Sequence, residues 1–401
     1  MIKTYIPRNI YLKRIKPFID KDIIKVLVGQ RRVGKSYLLF QIMDLIREQY
    51  ESPNIIYINK ELNEFASITN SKELLNYIEG KVMKNKKTYV FIDEIQEIDQ
   101  FEKALRSLQA DGSYDIYCTG SNANLLSGEL ATYLSGRHIE IKIYGLSYEE
   151  FLRFKKLDNN KDSLLKFIKF GGLPYLIHLP LEDEVIYDYL SNIYSTILFK
   201  DIVKRHSIRN AAILERLIEF LADNVGSFVT AKRISDFLKS QRIKISPSVI
   251  LNYLQYLAAS FFIFKVQRSG IGGKKIFEIN EKYYFEDLGL KHSIHRYENN
   301  DINKVLENLV FMHMKICGYS ITVGQLGSKE IDFVCSRGDE KLYIQVAYII
   351  NDNRTKEREF GNLLLIKDNY KKIVVSMDEM VEGNFEGIKQ INILDFLSTY
   401  L

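Results

Sequence analysis

The chain has 401 residues, of which 46% are hydrophobic and 27% charged, and its formal net charge is +5 at pH 7. This length predicts roughly two to four domains, and the composition is that of a soluble globular protein rather than a disordered or fibrous one. The three cysteines form no CxxC pair and the six histidines are scattered, so we expect neither a disulfide framework nor a structural zinc site.

The amino-terminal residues, MIKTYIPRNIYLKR, lack the apolar core of a signal peptide. Three unpaired cysteines fit a reducing compartment, so we expect a cytoplasmic protein. Residues 245–264 form a run of 20 residues without a charge. The run contains Pro247, Asn252 and Gln255, which favour a soluble helix followed by a buried strand over a membrane span.

A glycine-rich loop follows the first apolar run, IIKVLV. Residues 29–36, GQRRVGKS, match the pattern G-x-x-x-x-G-K-[ST] between a predicted strand and a predicted helix. Gly29 and Gly34 let the backbone approach a phosphate, Lys35 supplies a charge for it, and Ser36 offers a hydroxyl to Mg²⁺. We expect nucleotide contacts from Gly29, Gln30, Arg31, Arg32, Val33, Gly34, Lys35, Ser36 and Tyr37.

A carboxylate pair ends a later β-rich run, which predicts a strand over residues 88–92. Asp93 and Glu94 stand at its carboxyl end, where open α/β sheets place ligand chemistry. Asp93 would hold Mg²⁺ through its water shell, and Glu94 would polarise the attacking water. A small-molecule kinase needs no such carboxylate here, so Glu94 favours a hydrolytic ATPase.

Another strand, predicted over residues 114–119, ends in TGSNANLL. Thr119, Ser121 and Asn122 are suited to sense the γ-phosphate or the water, although ordinary turn chemistry is the alternative. Arg137 precedes a predicted fifth strand and is either a surface residue or a charge-stabilising finger, acting in its own or a neighbouring subunit. The predicted catalytic residues are Glu94, Lys35, Arg137 and Ser121, and the predicted metal ligands are Ser36 and Asp93.

The motifs GQRRVGKS, VFIDEIQ, CTGSNANLL and LSGRHIEIKIYGLSYEEF resemble a bacterial and archaeal family of AAA-type ATPases. That family joins an amino-terminal ATPase to a carboxyl-terminal domain of unknown function resembling restriction endonucleases. FGGLPYL and EIDFV also match, so the resemblance covers nearly the whole chain. It implies a five-stranded parallel sheet followed by a helical segment.

The middle of the chain changes pattern twice. Residues 147–205 read as helical apart from GGLP, and we expect them to form the lid of a first domain, 1–205. Residues 206–290 predict a winged helix-turn-helix, which is three helices and a glycine-tipped hairpin. The helices are expected over 208–224, 231–240 and 247–259, and the strands over 261–268 and 274–279.

Basic residues make duplex DNA one candidate partner of this middle region. Residues 200–244 contain 10 Lys or Arg against 5 Asp or Glu, and Lys265, Arg268, Lys274 and Lys275 lie near the wing. The third helix, SPSVILNYLQYLA, has no Lys or Arg, whereas a base-reading helix usually presents some. A structural or protein-binding role therefore stays open beside DNA contact.

Residues 295–401 resemble a restriction-endonuclease-like core, in which a glutamate, an aspartate and a (Glu/Gln)-x-Lys motif surround a metal. The matching positions are Glu307, Asp332, Gln345 and Ala347, so alanine replaces the lysine. We expect a degenerate module that binds nucleic acid or a partner, or that simply packs. An ATP-regulated, metal-dependent nuclease is the alternative.

The sequence therefore predicts an α/β protein with an AAA-type P-loop ATPase and helical lid, a winged-helix domain and a small endonuclease-like domain. We expect it to bind ATP with Mg²⁺ and to hydrolyse it as a switch or motor for duplex DNA or a protein. Another alternative is a protein-binding module that holds ATP with little turnover. An oligomer is required if Arg137 acts in a neighbouring subunit.

Overall fold

The computed structural model describes residues 5–123, 136–271, 280–298, 301–350, 352–379 and 383–399. Its contacts divide the chain into two compact units. The first contains Met1–Tyr144 with Ala259–Phe261, and the second contains Gly145–Ala258 with Phe262–Leu401.

The first unit is built on a parallel sheet of five strands in the order β2-β3-β4-β1-β5, as predicted. Its elements are α1 (Asn9–Ile15), β1 (Ile24–Val28), α2 (Lys35–Gln49), β2 (Asn54–Asn59), α3 (Ser71–Glu79), β3 (Thr88–Asp93), α4 (Phe101–Asp111), β4 (Tyr114–Gly120) and β5 (His138–Lys142). Strands β1 and β3 are buried along their whole length, which explains why they are mostly apolar, with Lys25 in β1 and Asp93 in β3 as charged exceptions. Because β4 lies between them, the carboxyl ends of all three strands meet at one edge.

The opposite edge of this sheet is held by a buried ion pair. The Lys25 ammonium on β1 contacts the Asp115 carboxylate on β4, and both side chains are almost fully buried. The Tyr117 hydroxyl donates to Asp115 at 2.8 Å, and the Asp20 amide donates to it at 2.9 Å. Asp115 thus compensates a charge that would otherwise be stranded in the core.

The second unit begins with the predicted lid. Its helices are α5 (Tyr148–Lys155), α6 (Lys161–Phe170) and α7 (Asp183–Thr196), the last continued by a π-helix, Ile197–Lys204. Helix α5 starts at a capping box between Ser147 and Glu150. Helices α6 and α7 pack against α11 (Leu288–Ile294), so the lid belongs to the second unit rather than to a first domain ending at residue 205.

The glycine pair after α6 does more than form the turn that its sequence predicts. Gly171 has a φ of +78°, and a Cβ there would overlap the Asp287 carboxylate. That carboxylate accepts hydrogen bonds from the amides of Gly172 at 2.7 Å and Leu290 at 2.9 Å. Gly171 is therefore required by a close approach to a residue far along the chain.

Three helices and a hairpin follow in the predicted order. They are α8 (Ala211–Asp223), a short strand β6 (Phe228–Val229), α9 (Ala231–Ser240), α10 (Pro247–Ala259), β7 (Ile263–Gly270) and β8 (Glu281–Phe285). The first helix starts later than expected, because Asn210 caps it. The strand predicted over 274–279, with Lys274 and Lys275, lies outside the described residues, and β8 begins at Glu281.

The remaining elements follow the order helix, three strands, helix, three strands, helix. They are α12 (Ile302–Ile316), β9 (Ser320–Leu326), β10 (Lys329–Arg337), β11 (Glu340–Val346), α13 (Asn353–Leu364), β12 (Lys371–Ser376), β13 (Asn384–Phe385), β14 (Ile388–Asn392) and α14 (Ile393–Leu397). Strands β9, β10 and β11 are antiparallel neighbours, whereas β11, β12 and β14 are parallel.

One sheet of nine strands connects the hairpin to these later strands, in the order β13-β14-β12-β11-β10-β9-β7-β8-β6. The join is a parallel pairing of β7 with β9, in which Arg268 lies opposite Val323. The sequence placed the two segments in separate domains, 206–290 and 295–401. In the structure they share one sheet within one compact unit.

Residues 245–264 form helix α10 followed by the start of β7, as predicted. Within the described residues, no helix combines the length and the apolar character needed to cross a membrane.

Candidate nucleotide-binding site

The predicted phosphate loop connects β1 to the amino terminus of α2. Gly34 precedes the helix with a φ of +95°, and no side chain caps the first turn. The N–H groups at the start of a helix such as this 15-residue one are suited to bind an anion. A Cβ at Gly29 would overlap the carbonyl oxygen of Ile143, so close backbone packing requires glycine there.

The Lys35 ammonium is held within this loop by the loop's own carbonyl groups. Its Nζ donates to the carbonyl oxygens of Gly29 and Gln30, both at 3.0 Å. The same Nζ lies 3.8 Å from Glu94 Oε1. The loop lysine and the predicted water-polarising carboxylate are therefore brought together.

Asp93 ends β3 and is buried beside the start of α2. Its Oδ1 accepts a hydrogen bond from Thr119 Oγ1 at 2.5 Å, and its Oδ2 accepts one from the Tyr57 hydroxyl at 3.2 Å. Burial raises the pKa of Asp93, although hydrogen bonds from Ser36 and Thr119 act in the opposite direction. The two predicted metal ligands, Ser36 and Asp93, are thus in contact.

Glu94 has a left-handed backbone with a φ of +56°, and its amide donates to Thr119 Oγ1 at 2.9 Å. Burial alone would raise the pKa of Glu94, but the charge of Lys35 and a hydrogen bond from the Gln96 amide hold it below its ordinary value. The carboxylate is therefore ionised at neutral pH.

Thr119 has a more central position than its sequence suggested. Its hydroxyl donates to Asp93 and accepts from the Glu94 amide, so one side chain links both acidic residues. Ser121, two residues after Thr119, is also buried and contributes to the lowered pKa of Glu94. Asn122 follows and is half-buried.

Arg137 is not part of this site within its own chain. It is exposed and immediately precedes β5, whose first residue, His138, pairs with Ile24 at the start of β1. The phosphate loop follows the other end of β1. Because β1 and β5 are parallel, Arg137 lies at the opposite edge of the sheet, which corrects its prediction as a finger acting in its own subunit.

The other predicted nucleotide contacts vary in exposure. Gln30 is buried, and its Nε2 donates to the Phe261 carbonyl at 3.4 Å. Arg31 lies 3.5 Å from Glu61 and helps to lower the pKa of Glu94. Arg32, with a φ of +72°, and Tyr37 are exposed.

Arg8 is a functional candidate that no sequence pattern indicated. Its buried guanidinium donates from Nη1 to the Val33 carbonyl at 3.0 Å and to the Tyr144 carbonyl at 2.8 Å. Its amide donates to Gln41 Oε1 on α2 at 2.9 Å. Arg8 thus connects the phosphate loop, through Val33, to Tyr144. The basic segment that contains Arg8 would be expected at the surface from its sequence, but Arg8 is buried.

The residues of the site fit a nucleoside triphosphate with Mg²⁺. An uncapped helix start and a loop lysine suit the phosphates, and the adjacent oxygens of Ser36 and Asp93 suit a hard cation. Glu94 and Ser121 stand next to these groups, where a water could be oriented.

Comparisons with known proteins concern the family and the fold. A family model described as an AAA domain matches residues 21–152, and a model described as a domain of unknown function matches residues 161–301. An "Uncharacterized protein" of Haemophilus influenzae is 41% identical over 99% of this chain and 100% of its own length. "Uncharacterized protein MJ1544" of Methanocaldococcus jannaschii is 32% identical over 96% of this chain and 90% of its own length.

Among solved structures, the chain is similar to "the Walker-type ATPase PABY2304 of Pyrococcus abyssi", with a TM-score of 0.50 and 17% identity. The match covers 73% of this chain and 96% of that one. At this identity the likeness concerns the fold. Together with the AAA-domain match, it confirms the predicted P-loop fold.

Proposed function

This chain, which carries an AAA domain, belongs to the same protein family as its Haemophilus and Methanocaldococcus relatives, and we propose that it is an ATPase. The observation that carries the proposal is the link made by Thr119 between Asp93 and Glu94, beside the Lys35 ammonium. A loop that merely stored ATP would not need an ionised carboxylate held at that point.

Each residue has a distinct task in this proposal. The N–H groups of the loop and Lys35 bind the β- and γ-phosphates, and Ser36 and Asp93 hold Mg²⁺, which neutralises phosphate charge when bound. Glu94 orients and polarises the attacking water, because its carboxylate is charged and buried. Thr119 on β4 positions both acidic residues, so loss of the γ-phosphate would change contacts of β4 as well as contacts of the phosphate loop.

Two substitutions separate binding from hydrolysis. In Lys35→Ala we expect nucleotide binding to be lost, measured with a fluorescent ATP analogue. In Glu94→Gln we expect binding to persist and phosphate release to fall by about 10²-fold or more. Glu97→Gln removes an exposed carboxylate from the same turn and serves as the matched control. Normal turnover by Glu94→Gln would remove the basis for the assignment.

The nucleotide cycle is proposed to act as a switch or motor for a partner, and surface features bear on the partner's class. Helix α10 exposes Val249 and Leu251, and Phe237 on α9 is also exposed. Helix α10 has no Lys or Arg, so these features support a protein partner over base recognition.

Duplex DNA is the second candidate, supported by the surplus of 10 Lys or Arg over 5 Asp or Glu in residues 200–244. The order of three helices and then two paired strands would also suit a winged helix, which is a DNA-binding motif. Steady-state ATP hydrolysis with and without duplex DNA, at low and moderate salt, distinguishes the two. Stimulation that fades with added salt favours DNA. Indifference to DNA favours a protein.

A further inference from the structure

A lysine from the hairpin lies among the carboxylates of the predicted nuclease core. Lys282 is on β8, and its side chain is only 4% exposed. Its Nζ lies 2.7 Å from Glu330 Oε1 on β10 and 3.2 Å from Glu307 Oε2 on α12. The buried carboxyl group of Asp332 completes the cluster.

The surrounding groups already engage the carboxylate oxygens. The Tyr284 hydroxyl donates to Glu307 Oε2 at 3.0 Å, so this oxygen accepts both Lys282 and Tyr284. Asp332 Oδ2 accepts from the Val346 amide at 2.8 Å. Ala347, where the resemblance led us to look for a lysine, is a buried apolar residue.

Charge balance explains why a lysine is tolerated here. Burial disfavours the ammonium, but the carboxyl groups of Glu307, Asp332 and Glu330 outweigh burial and raise the pKa of Lys282 above its usual value. Throughout the part of the chain that the structure describes, no three Asp, Glu, His or Cys side chains are placed to share a metal ion. Lys282 therefore supplies one positive charge beside these carboxyl groups, although burial raises the pKa values of Glu307 and Asp332.

We propose that the Lys282 ammonium is the resident cation of this cluster, in the place where a nuclease would hold a divalent metal. The site then fastens the β7–β8 hairpin to α12 and β10 instead of cleaving nucleic acid. Ala347 is compatible with this arrangement, because the lysine that the resemblance implies there would serve to activate a metal-bound water. Removal of Lys282 would leave Glu307 and Glu330 without their counter-charge, and their side chains could then rearrange around a hard cation.

The test measures Mn²⁺ binding to the full chain by electron paramagnetic resonance, without nucleotide. For the wild type we expect the same binding as for Asp332→Asn, because the cluster contributes no metal site. Lys282→Met should bind one additional Mn²⁺, and Lys282→Met with Asp332→Asn should lose it. Lys282→Arg, which keeps the charge, should resemble the wild type.

The matched control is Lys265→Met, which removes an exposed lysine on the neighbouring strand that pairs with Glu281 at 3.0 Å. It should gain no Mn²⁺. Failure of a folded Lys282→Met to gain the site would overturn the proposal. The proposal would also be overturned if the wild type bound Mn²⁺, or nicked plasmid DNA with Mg²⁺, and Asp332→Asn abolished that binding or nicking. These two measurements do not depend on whether the Lys282 variant folds.

Discussion

Thr119 offers the sharpest test of how the acidic pair is positioned. Its side chain is fully buried, and its hydroxyl makes two hydrogen bonds, 2.5 Å to Asp93 Oδ1 and 2.9 Å from the Glu94 amide. Thr119→Val keeps the shape of the side chain but removes both bonds. The Asp93 carboxylate and the Glu94 amide are then left without this partner in a buried position.

The expected magnitude follows from the bond to the carboxylate. A hydrogen bond to a charged group contributes about 1.5–3 kcal/mol, and each 1.4 kcal/mol in the barrier is a factor of about ten. We therefore expect phosphate release by Thr119→Val to fall by about 10- to 100-fold. Nucleotide affinity should change little, because in the proposed site the phosphates are bound by residues 29–36 and not by Thr119.

The assay is steady-state phosphate release together with titration of a fluorescent ATP analogue. Thr119→Ser retains the hydroxyl and should recover most of the turnover, which separates the hydrogen bonds from a packing effect. A folded Thr119→Val that hydrolyses ATP within about twofold of the wild type would refute the positioning role of Thr119.

Two further predictions concern stability. Asp115→Ala leaves the Lys25 ammonium without its partner in the core and should lower the free energy of unfolding by about 3–5 kcal/mol in urea titrations. Asp111→Ala, at an exposed position, serves as the control and should change the free energy of unfolding little. Equal effects of the two substitutions would contradict the ion-pair account. Burial raises the pKa of Asp287 to about 6, against three backbone hydrogen bonds that lower it. A raised pKa in the folded state contributes stability that is present below about pH 4 and is lost as pH rises through 6. Relative to Asp287→Asn, the wild type should lose on the order of 2–3 kcal/mol between those limits, and parallel pH profiles would disprove this.

The residues of the phosphate loop and the acidic pair could be predicted because each motif is contiguous and stands at the end of a strand. Residues 29–36 and Asp93 with Glu94 follow buried, β-rich runs, and parallel strands bring such ends to one edge. Local patterns predicted β1, β3, β4 and β5, whereas the number of five strands came from the family resemblance.

The position of Arg137 depends on the direction of the strand that follows it. Arg137 immediately precedes β5, and a residue before a parallel strand lies at the amino edge of the sheet, away from the phosphate loop. Whether Arg137 serves a neighbouring subunit stays a prediction.

The sequence by itself determined the strands, the phosphate loop and the acidic pair, since each depends on residues within one short segment. Only the tertiary structure decided that Arg8 supports the loop, that Gly171 must make room for Asp287, and that Lys282 enters the carboxylate cluster. These contacts join residues far apart in the chain through buried charges and close backbone packing. Periodicity and local spacing in a sequence do not predict such long-range contacts, because the contacts form only when separate elements pack together.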